Sequence, residues 1–247
     1  MSGHSKWHSI KHKKGAVDAK RGKLFTKIIR EIIIAARLGG SDTDANPRLR
    51  TAVLKAKNAN MPKDNVERAI KKGAGELEGV EYLEMNYEAY GPGGIAMLIE
   101  ILTDNKNRTA AEVRHILSKG GGNLGETGCV SYQFKRKGVL TFDAKKYSED
   151  DIFTVALDSG AEDVTNDGEI IEVLTEPDDF EKVVNSLTDA GFEYESAEVS
   201  KIADNNITLD QEKASKVIKL IDALEDNDDV QNVYTNLELP DDFKMDE

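Results

Sequence analysis

The chain has very few residues that form covalent or aromatic centres. It contains one cysteine, Cys129, and one tryptophan, Trp7, among 247 residues. A single cysteine excludes an internal disulfide and is typical of a reducing compartment. The longest apolar runs, residues 32–36 and 95–99, have five residues each, whereas a membrane-spanning helix needs about 20. The first residues also lack an apolar signal-peptide region, so the sequence predicts a cytoplasmic protein without a membrane segment.

Acidic residues are scarce in the first part of the chain, and basic residues are scarce in the last part. Residues 1–75 carry eighteen Lys/Arg and six Asp/Glu, a net charge of +12, whereas residues 138–247 carry eight and thirty-one, a net charge of −23. Residues 76–137 are close to neutral, with a net charge of −2. The overall charge of −13 therefore hides a strongly basic block. This distribution indicates one end that binds a polyanion and another that avoids it.

The basic block has the pattern of a small helical domain. From residue 18 to residue 38, apolar side chains recur every four positions, which predicts one amphipathic helix. Asn46 followed by Pro47 is typical of the start of a second helix, and Pro62 of the start of a third. Residues 2–15 are basic and have almost no apolar periodicity. We therefore expect a three-helix domain preceded by a flexible arm.

The remainder alternates between strands and helices. Strands are predicted at 82–90, 95–103, 129–134 and 230–237, with helices at 108–119 and 210–224. Residues 138–196 follow the order β-α-β-β-α-β, ending in a strand at 192–195, which is the ferredoxin-like pattern. The expected fold class is multi-domain α+β, with a three-helix domain followed by two α/β ferredoxin-like domains, one inserted in the other. The expected domains are 1–78, 79–137 plus 197–247, and the insert 138–196.

The candidate nucleic-acid-binding residues are cationic or aromatic and lie in the first thirty positions. This segment contains nine Lys/Arg and a single anionic residue, Asp18. Lysine and arginine neutralise phosphates, and an indole can stack on an unpaired base. A solvated charged surface or an anionic membrane are the alternatives, but the arm lacks the apolar face of an interfacial helix. The candidates are His4, Lys6, Trp7, His8, Lys11, His12, Lys13, Lys14, Lys20, Arg21, Lys23, Lys27 and Arg30.

Other candidate sites are weaker. Lys106 and Arg108, where a strand leads into a helix, are secondary candidates for phosphate contacts, although Asp104 or Asn107 there can also be simple helix caps. The glycine-rich residues 120–125 follow a helix and lack the Lys-Ser/Thr ending of a nucleotide-binding loop, so they favour a turn. The three arm histidines lie among lysines that repel a dication. We expect no metal, no cofactor and no catalytic residues.

Eight segments of the chain together resemble one family, called YebC, PmpR or translational activator of cytochrome oxidase. The resemblance extends over nearly the whole chain, and the joint occurrence of these segments makes it specific. The segments are residues 3–7, 10–14, 18–23, 60–65, 90–94, 102–105, 121–125 and, near the end, 224–226 with 228–234. The resemblance implies a helical domain and two α/β domains, and either DNA-binding transcriptional regulation or ribosome-associated translation that relieves stalling at proline runs.

Together these observations predict a non-enzymatic regulator of gene expression that binds nucleic acid. Within that class, a ribosome or ribosomal-RNA partner is an alternative to DNA. From other classes, an enzyme in the α/β part or an acidic protein–protein adaptor that binds a basic partner through the −23 block are alternatives. The oligomeric state, for which a monomer is a reasonable expectation, and the nucleic-acid target stay open.

Overall fold

The computed structural model describes residues 18–79, 81–240 and 243, with the backbone alone at residues 18–21. Seven helices and ten strands lie in this part of the chain. They are α1 Asp18–Gly39, α2 Pro47–Asn58, α3 Lys63–Gly73, β1 Leu83–Tyr90, β2 Ala96–Thr103, α4 Lys106–Lys119, β3 Asn123–Leu124, β4 Phe134–Asp143, α5 Glu149–Ser159, β5 Ala161–Asn166, β6 Ile170–Thr175, α6 Phe180–Asp189, β7 Ser196–Ala203, β8 Ile207–Thr208, α7 Gln211–Glu225, β9 Val230–Thr235 and β10 Leu237–Glu238.

The first three helices form one packed unit, as the apolar periodicity predicts. Ile28 and Ile32 of α1 share a core with Leu49 of α2 and Ala69 of α3. Asn46 caps α2, because its side-chain oxygen accepts the Leu49 N–H at 3.0 Å. Helices pack closely where small residues meet. Here the α1–α3 contact is so close that a Cβ on Gly73 would lie 2.4 Å from the Ile33 carbonyl oxygen.

A four-stranded antiparallel sheet follows, with the strand order β3-β1-β2-β9, which we call the central sheet. Helices α4 and α7 pack their apolar sides against this sheet, so Val113 and Ile221 share a core with Ile99. Strand β9 pairs with β2, so the chain leaves this sheet after β3 and returns to it near its end. That return brings residues 225–229, between α7 and β9, close to the amino end of α4.

The second sheet has the order β5-β6-β4-β7 and is also antiparallel. Helices α5 and α6 lie against it, and Leu140, Ile152 and Val183 are in its core. The element order and the strand order are those of a ferredoxin-like unit. The predicted fold class, helices followed by antiparallel α/β sheet units, is therefore confirmed. Strand β7 pairs with β4 from Ser196 to Ala203, so this sheet extends past residue 196. The domain limits 1–78, 79–137 plus 197–247, and 138–196 stay a prediction.

Two predicted strands are wrong. Residues 129–133 form a turn and the short 3-10 segment Ser131–Gln133 instead of a strand. The reason is that Glu88 accepts the backbone N–H groups of Val130 and Ser131, which removes them from any strand ladder. Residues 192–195 are irregular, and the last strand of the second sheet is β7. None of the helices in the described ranges has the length and apolarity that crossing a bilayer requires.

Candidate nucleic-acid interface

The predicted binding residues divide into three groups by position. The arm residues His4, Lys6, Trp7, His8, Lys11, His12, Lys13 and Lys14 lie outside the described residues. Lys20 and Arg21 belong to the first turns of α1, where the structure describes the backbone only. Lys23, Lys27 and Arg30 of α1 are described in full, as are Lys106 and Arg108 of α4. Their contacts define what the structure shows of the interface.

Lys23, Lys27 and Arg30 lie on one face of α1, because they are spaced by four and three residues. All three reach the acidic turn, which we define as residues 225–229 with the sequence Glu-Asp-Asn-Asp-Asp. Lys23 Nζ is 3.0 Å from the Asp226 carbonyl oxygen and 3.2 Å from its carboxylate. Lys27 Nζ is 2.7 Å from the Glu225 carbonyl oxygen. The basic face of α1 is therefore in contact with an acidic segment of the same chain.

These contacts lie at the carboxyl end of α7. The last carbonyl groups of a helix have no partner inside the helix, and the helix dipole makes this end negative. The lysine ammonium groups of α1 supply donors and positive charge to that end. The side chains of Lys23 and Asp226 are nevertheless 43% and 63% exposed. Water and salt therefore reach this pair, and such exposed pairs contribute about 0–1 kcal/mol.

Arg30 makes the innermost contact between α1 and the acidic turn. Its Nη1 is 2.6 Å from Asp229 Oδ1, 2.5 Å from the Asp228 carbonyl oxygen and 3.2 Å from the Leu102 carbonyl oxygen. The guanidinium also lies 5.4 Å from the centre of the Tyr82 ring. Only 13% of the Arg30 side chain is exposed. This contact is shielded from salt, unlike that of Lys23.

Asp229 joins α1 to the central sheet. Besides Arg30, it accepts a hydrogen bond from Arg108 Nη2 at 2.7 Å, and the hydroxyl groups of Thr109 and Thr103 lie 2.6 and 3.1 Å from its Oδ2. Its side chain is 4% exposed. Burial alone would raise the pKa of this carboxyl, but the hydrogen bonds from Arg108, Thr109 and Arg30 outweigh burial and hold the pKa below its usual value.

The secondary candidates Lys106 and Arg108 have different surroundings. Arg108 is paired with both Asp104, at 2.8 Å, and Asp229, at 2.7 Å. These carboxylates raise the pKa of its guanidinium, chiefly through the hydrogen bond to Asp229. The Lys106 side chain is exposed and pairs with no carboxylate in the described part of the chain. The helix cap is Asn105, whose side chain accepts the Arg108 N–H at 3.1 Å, and not Asp104 or Asn107.

Sequence reasoning missed several other exposed cations. Arg114 and Lys119 lie on the solvent side of α4, and Lys57, Arg68 and Lys71 on α2 and α3. Within the described ranges these five have no ion pair with a carboxylate. Their signal was present in the sequence, since they occupy the positions between the apolar residues of each helix. They are exposed cations in addition to those of α1.

A second anion-binding arrangement is occupied by a side chain of the protein itself. The Glu88 carboxylate accepts the backbone N–H groups of Gly128, Val130 and Ser131 at 2.6, 2.6 and 2.8 Å. Burial raises the pKa of Glu88, but these three donors outweigh burial and lower the pKa below its usual value. Successive N–H groups of this kind form an anion-binding concavity. Because Glu88 occupies them, these three N–H groups are not available to a phosphate.

The glycine-rich residues 120–125 form a turn that joins α4 to the central sheet. Gly121 has φ of +78°, which favours glycine. A Cβ on Gly122 would lie 2.7 Å from the Tyr90 carbonyl oxygen. Asn123 and Leu124 pair with β1. The close approach of two backbones thus accounts for Gly122, and the positive φ accounts for Gly121. Among the described residues, no cluster of three or more His, Cys, Asp or Glu is arranged to hold a metal ion.

Comparisons with known proteins agree with the resemblance. Residues 5–76 match the model of the TACO1/YebC protein N-terminal domain, and residues 82–237 match that of the TACO1/YebC second and third domain. A relative from Treponema denticola, named "Probable transcriptional regulatory protein", is 59% identical over 247 residues and covers 100% of both chains. A relative of the same name from Desulfatibacillum aliphaticivorans is 57% identical over 98% of each chain.

A solved structure shows the same fold. The crystal structure of a conserved hypothetical protein from Aquifex aeolicus has a TM-score of 0.82 and 52% sequence identity to this chain. The match covers 94% of this chain and 96% of that one. The two family models together match well over half of the chain, and the relatives match it from end to end. The chain therefore belongs to the TACO1/YebC family.

Proposed function

We propose that this protein is a non-enzymatic regulator of gene expression that binds the phosphate backbone of nucleic acid through its basic amino-terminal part and needs no cofactor. The regulator role is supported by the names of the relatives. The observation that carries the nucleic-acid part is the separation of charge, +12 in residues 1–75 against −23 in residues 138–247. A polyanion is attracted to the first part and repelled by the last.

The proposed contacts are the cations of the arm and those of α1 as far as Lys27, with Trp7 stacking on an unpaired base. Arg30 is left out because it is buried in its pair with Asp229. The arm lacks an obvious helix-turn-helix recognition helix with Asn, Gln or Arg at base-reading positions, so backbone contacts are favoured over sequence-specific readout. The exposed cations of α2, α3 and α4, such as Arg68 and Arg114, supply further positive charge on the helices of the first two units. They add to the electrostatic attraction without reading sequence.

The test compares two variants that each lose four lysines. The first variant changes four arm lysines to alanine: Lys6, Lys11, Lys13 and Lys14. The second changes four exposed lysines of the acidic residues 138–247: Lys145, Lys182, Lys213 and Lys216. Affinity for a fluorescent 20-nucleotide duplex and single-stranded RNA is measured by anisotropy between 50 and 200 mM salt.

We expect the slope of log affinity against log salt to decrease by about 0.9 per lost phosphate contact on the duplex, or about 0.7 on the single strand. The slope of the first variant is therefore smaller in magnitude by about 3.6 on the duplex or about 2.8 on the single strand, and the second variant keeps the wild-type slope. Equal loss in both variants, or binding of the wild-type protein without salt dependence, would overturn the proposal. Tighter binding to the RNA than to the duplex favours a ribosomal target.

A further inference from the structure

The lysines of α1 that we assign to phosphate binding already contact an anionic segment of the chain. We propose that the acidic turn, residues 225–229, is an internal competitor that occupies Lys23 and Lys27 until nucleic-acid phosphates displace it. The inference rests on the proposed function, and it adds a regulation of the same site. The acidic turn carries four carboxylates in five residues, which is a charge density that a nucleic-acid backbone also presents.

The contacts of the acidic turn use the chemistry of a phosphate contact. Lys23 Nζ is 3.0 Å from a carbonyl oxygen and 3.2 Å from a carboxylate oxygen of Asp226. A phosphate offers oxygen acceptors of the same kind and charge at similar distances. Asp226 takes two of the three donors of the Lys23 ammonium group. A phosphate therefore meets one free donor beside a carboxylate of the same sign of charge, which repels it. Binding of a phosphate at Lys23 therefore competes with Asp226.

The contacts between α1 and the acidic turn differ in burial, so some of them persist and others can exchange. The Arg30–Asp229 pair is 13% and 4% exposed, whereas the Lys23–Asp226 pair is 43% and 63% exposed. The buried pair keeps α1 attached to the central sheet, since breaking it would leave an uncompensated charge inside the protein. The exposed pair is screened and contributes little. A polyanion therefore displaces the outer contacts while α1 stays in place.

The test removes the charge of Asp226 and keeps its shape. Asp226→Asn is compared with Asp158→Asn, which makes the same change in net charge at an exposed site on α5. Asp226 follows the last residue of α7, where asparagine is well tolerated, and thermal melts by circular dichroism verify that both variants fold. Affinity for a 20-nucleotide duplex and RNA is measured at 100 mM salt, and the variants are repeated in a Lys23→Ala background.

We expect Asp226→Asn to bind about two- to fivefold more tightly than the wild type, the effect of removing one exposed ion pair. Asp158→Asn should give a clearly smaller gain, since both changes remove one negative charge but Asp226 is the residue that pairs with Lys23. The gain should disappear in the Lys23→Ala background, because the released lysine is then missing. Equal affinity of Asp226→Asn and the wild type, an equal gain in Asp158→Asn, or a gain that survives Lys23→Ala would each overturn the inference alone. Absence of binding in every form would overturn the proposed function as well.

Discussion

Changing Asp229 to alanine removes the acceptor that Arg30, Arg108 and two threonine hydroxyls share. The hydroxyl groups keep other partners, since Thr109 Oγ1 is also 3.0 Å from the Asn105 carbonyl oxygen. Arg108 is 41% exposed and keeps Asp104, so its loss is small. The main cost falls on Arg30, which is 13% exposed and loses its counter-charge. Removing one partner of a buried ion pair costs about 3–5 kcal/mol, and we expect the lower end, about 3 kcal/mol.

The free energy of unfolding is measured by urea denaturation followed by circular dichroism. Asp226→Ala is the control, because it removes an exposed carboxylate of the same acidic turn and should cost less than about 1 kcal/mol. A double-mutant cycle with Arg30→Ala should give a coupling energy of about 1–3 kcal/mol. A cost for Asp229→Ala no larger than that of the control, or additive single changes, would refute the assignment of Asp229 as the link between α1 and the central sheet.

Three further predictions concern stability. The pKa of Asp229 is lowered in the folded state, so the stabilisation by its carboxylate is present above the unfolded pKa of about 3.9 and is lost as the pH falls through the folded pKa. The urea midpoints at pH 5 and pH 3 should therefore differ less in Asp229→Asn than in the wild type. An equal difference in the two proteins contradicts this prediction. Glu88→Gln should cost about 1–3 kcal/mol and speed amide hydrogen exchange at Gly128 and Val130, whereas unchanged exchange would show that Glu88 does not hold the loop. Gly73→Ala should cost about 1–3 kcal/mol, because the added Cβ meets the α1 backbone. Gly22→Ala, whose Cβ would have no atom within 4 Å, should be neutral or stabilising. A melting temperature that falls more in Gly22→Ala than in Gly73→Ala contradicts the packing.

Local patterns in the sequence were sufficient for most of the fold. The period of four along α1 predicted its buried face, and Ile28 and Ile32 are buried as expected. The order of strands and helices in residues 138–196 predicted the ferredoxin-like unit, although its last strand is β7, Ser196–Ala203, and not 192–195. Asn46 and Pro47 predicted the start of α2, because the helix cap is a contact between residues only three positions apart.

The features that could not be predicted depend on residues far apart in the chain. The strand expected at 129–134 is a turn because Glu88, some 40 positions earlier, takes its N–H groups. Lys23 and Asp226 are 203 positions apart, and no local pattern joins them. The positive charge of α1 was visible in the sequence, but its acidic neighbours were not, because charge pairing across the fold follows from the return of β9 to the central sheet.

The distance in sequence between α1 and its acidic partner also orders events in time. Chains are synthesised from the amino terminus, and domains generally fold as units during synthesis. The three-helix unit is complete by residue 73, whereas the carbonyl and carboxylate groups that receive its cations follow at residues 225–229. A nascent chain therefore carries α1 without these acceptors for some 150 residues of elongation, until residues 225–229 have been synthesised.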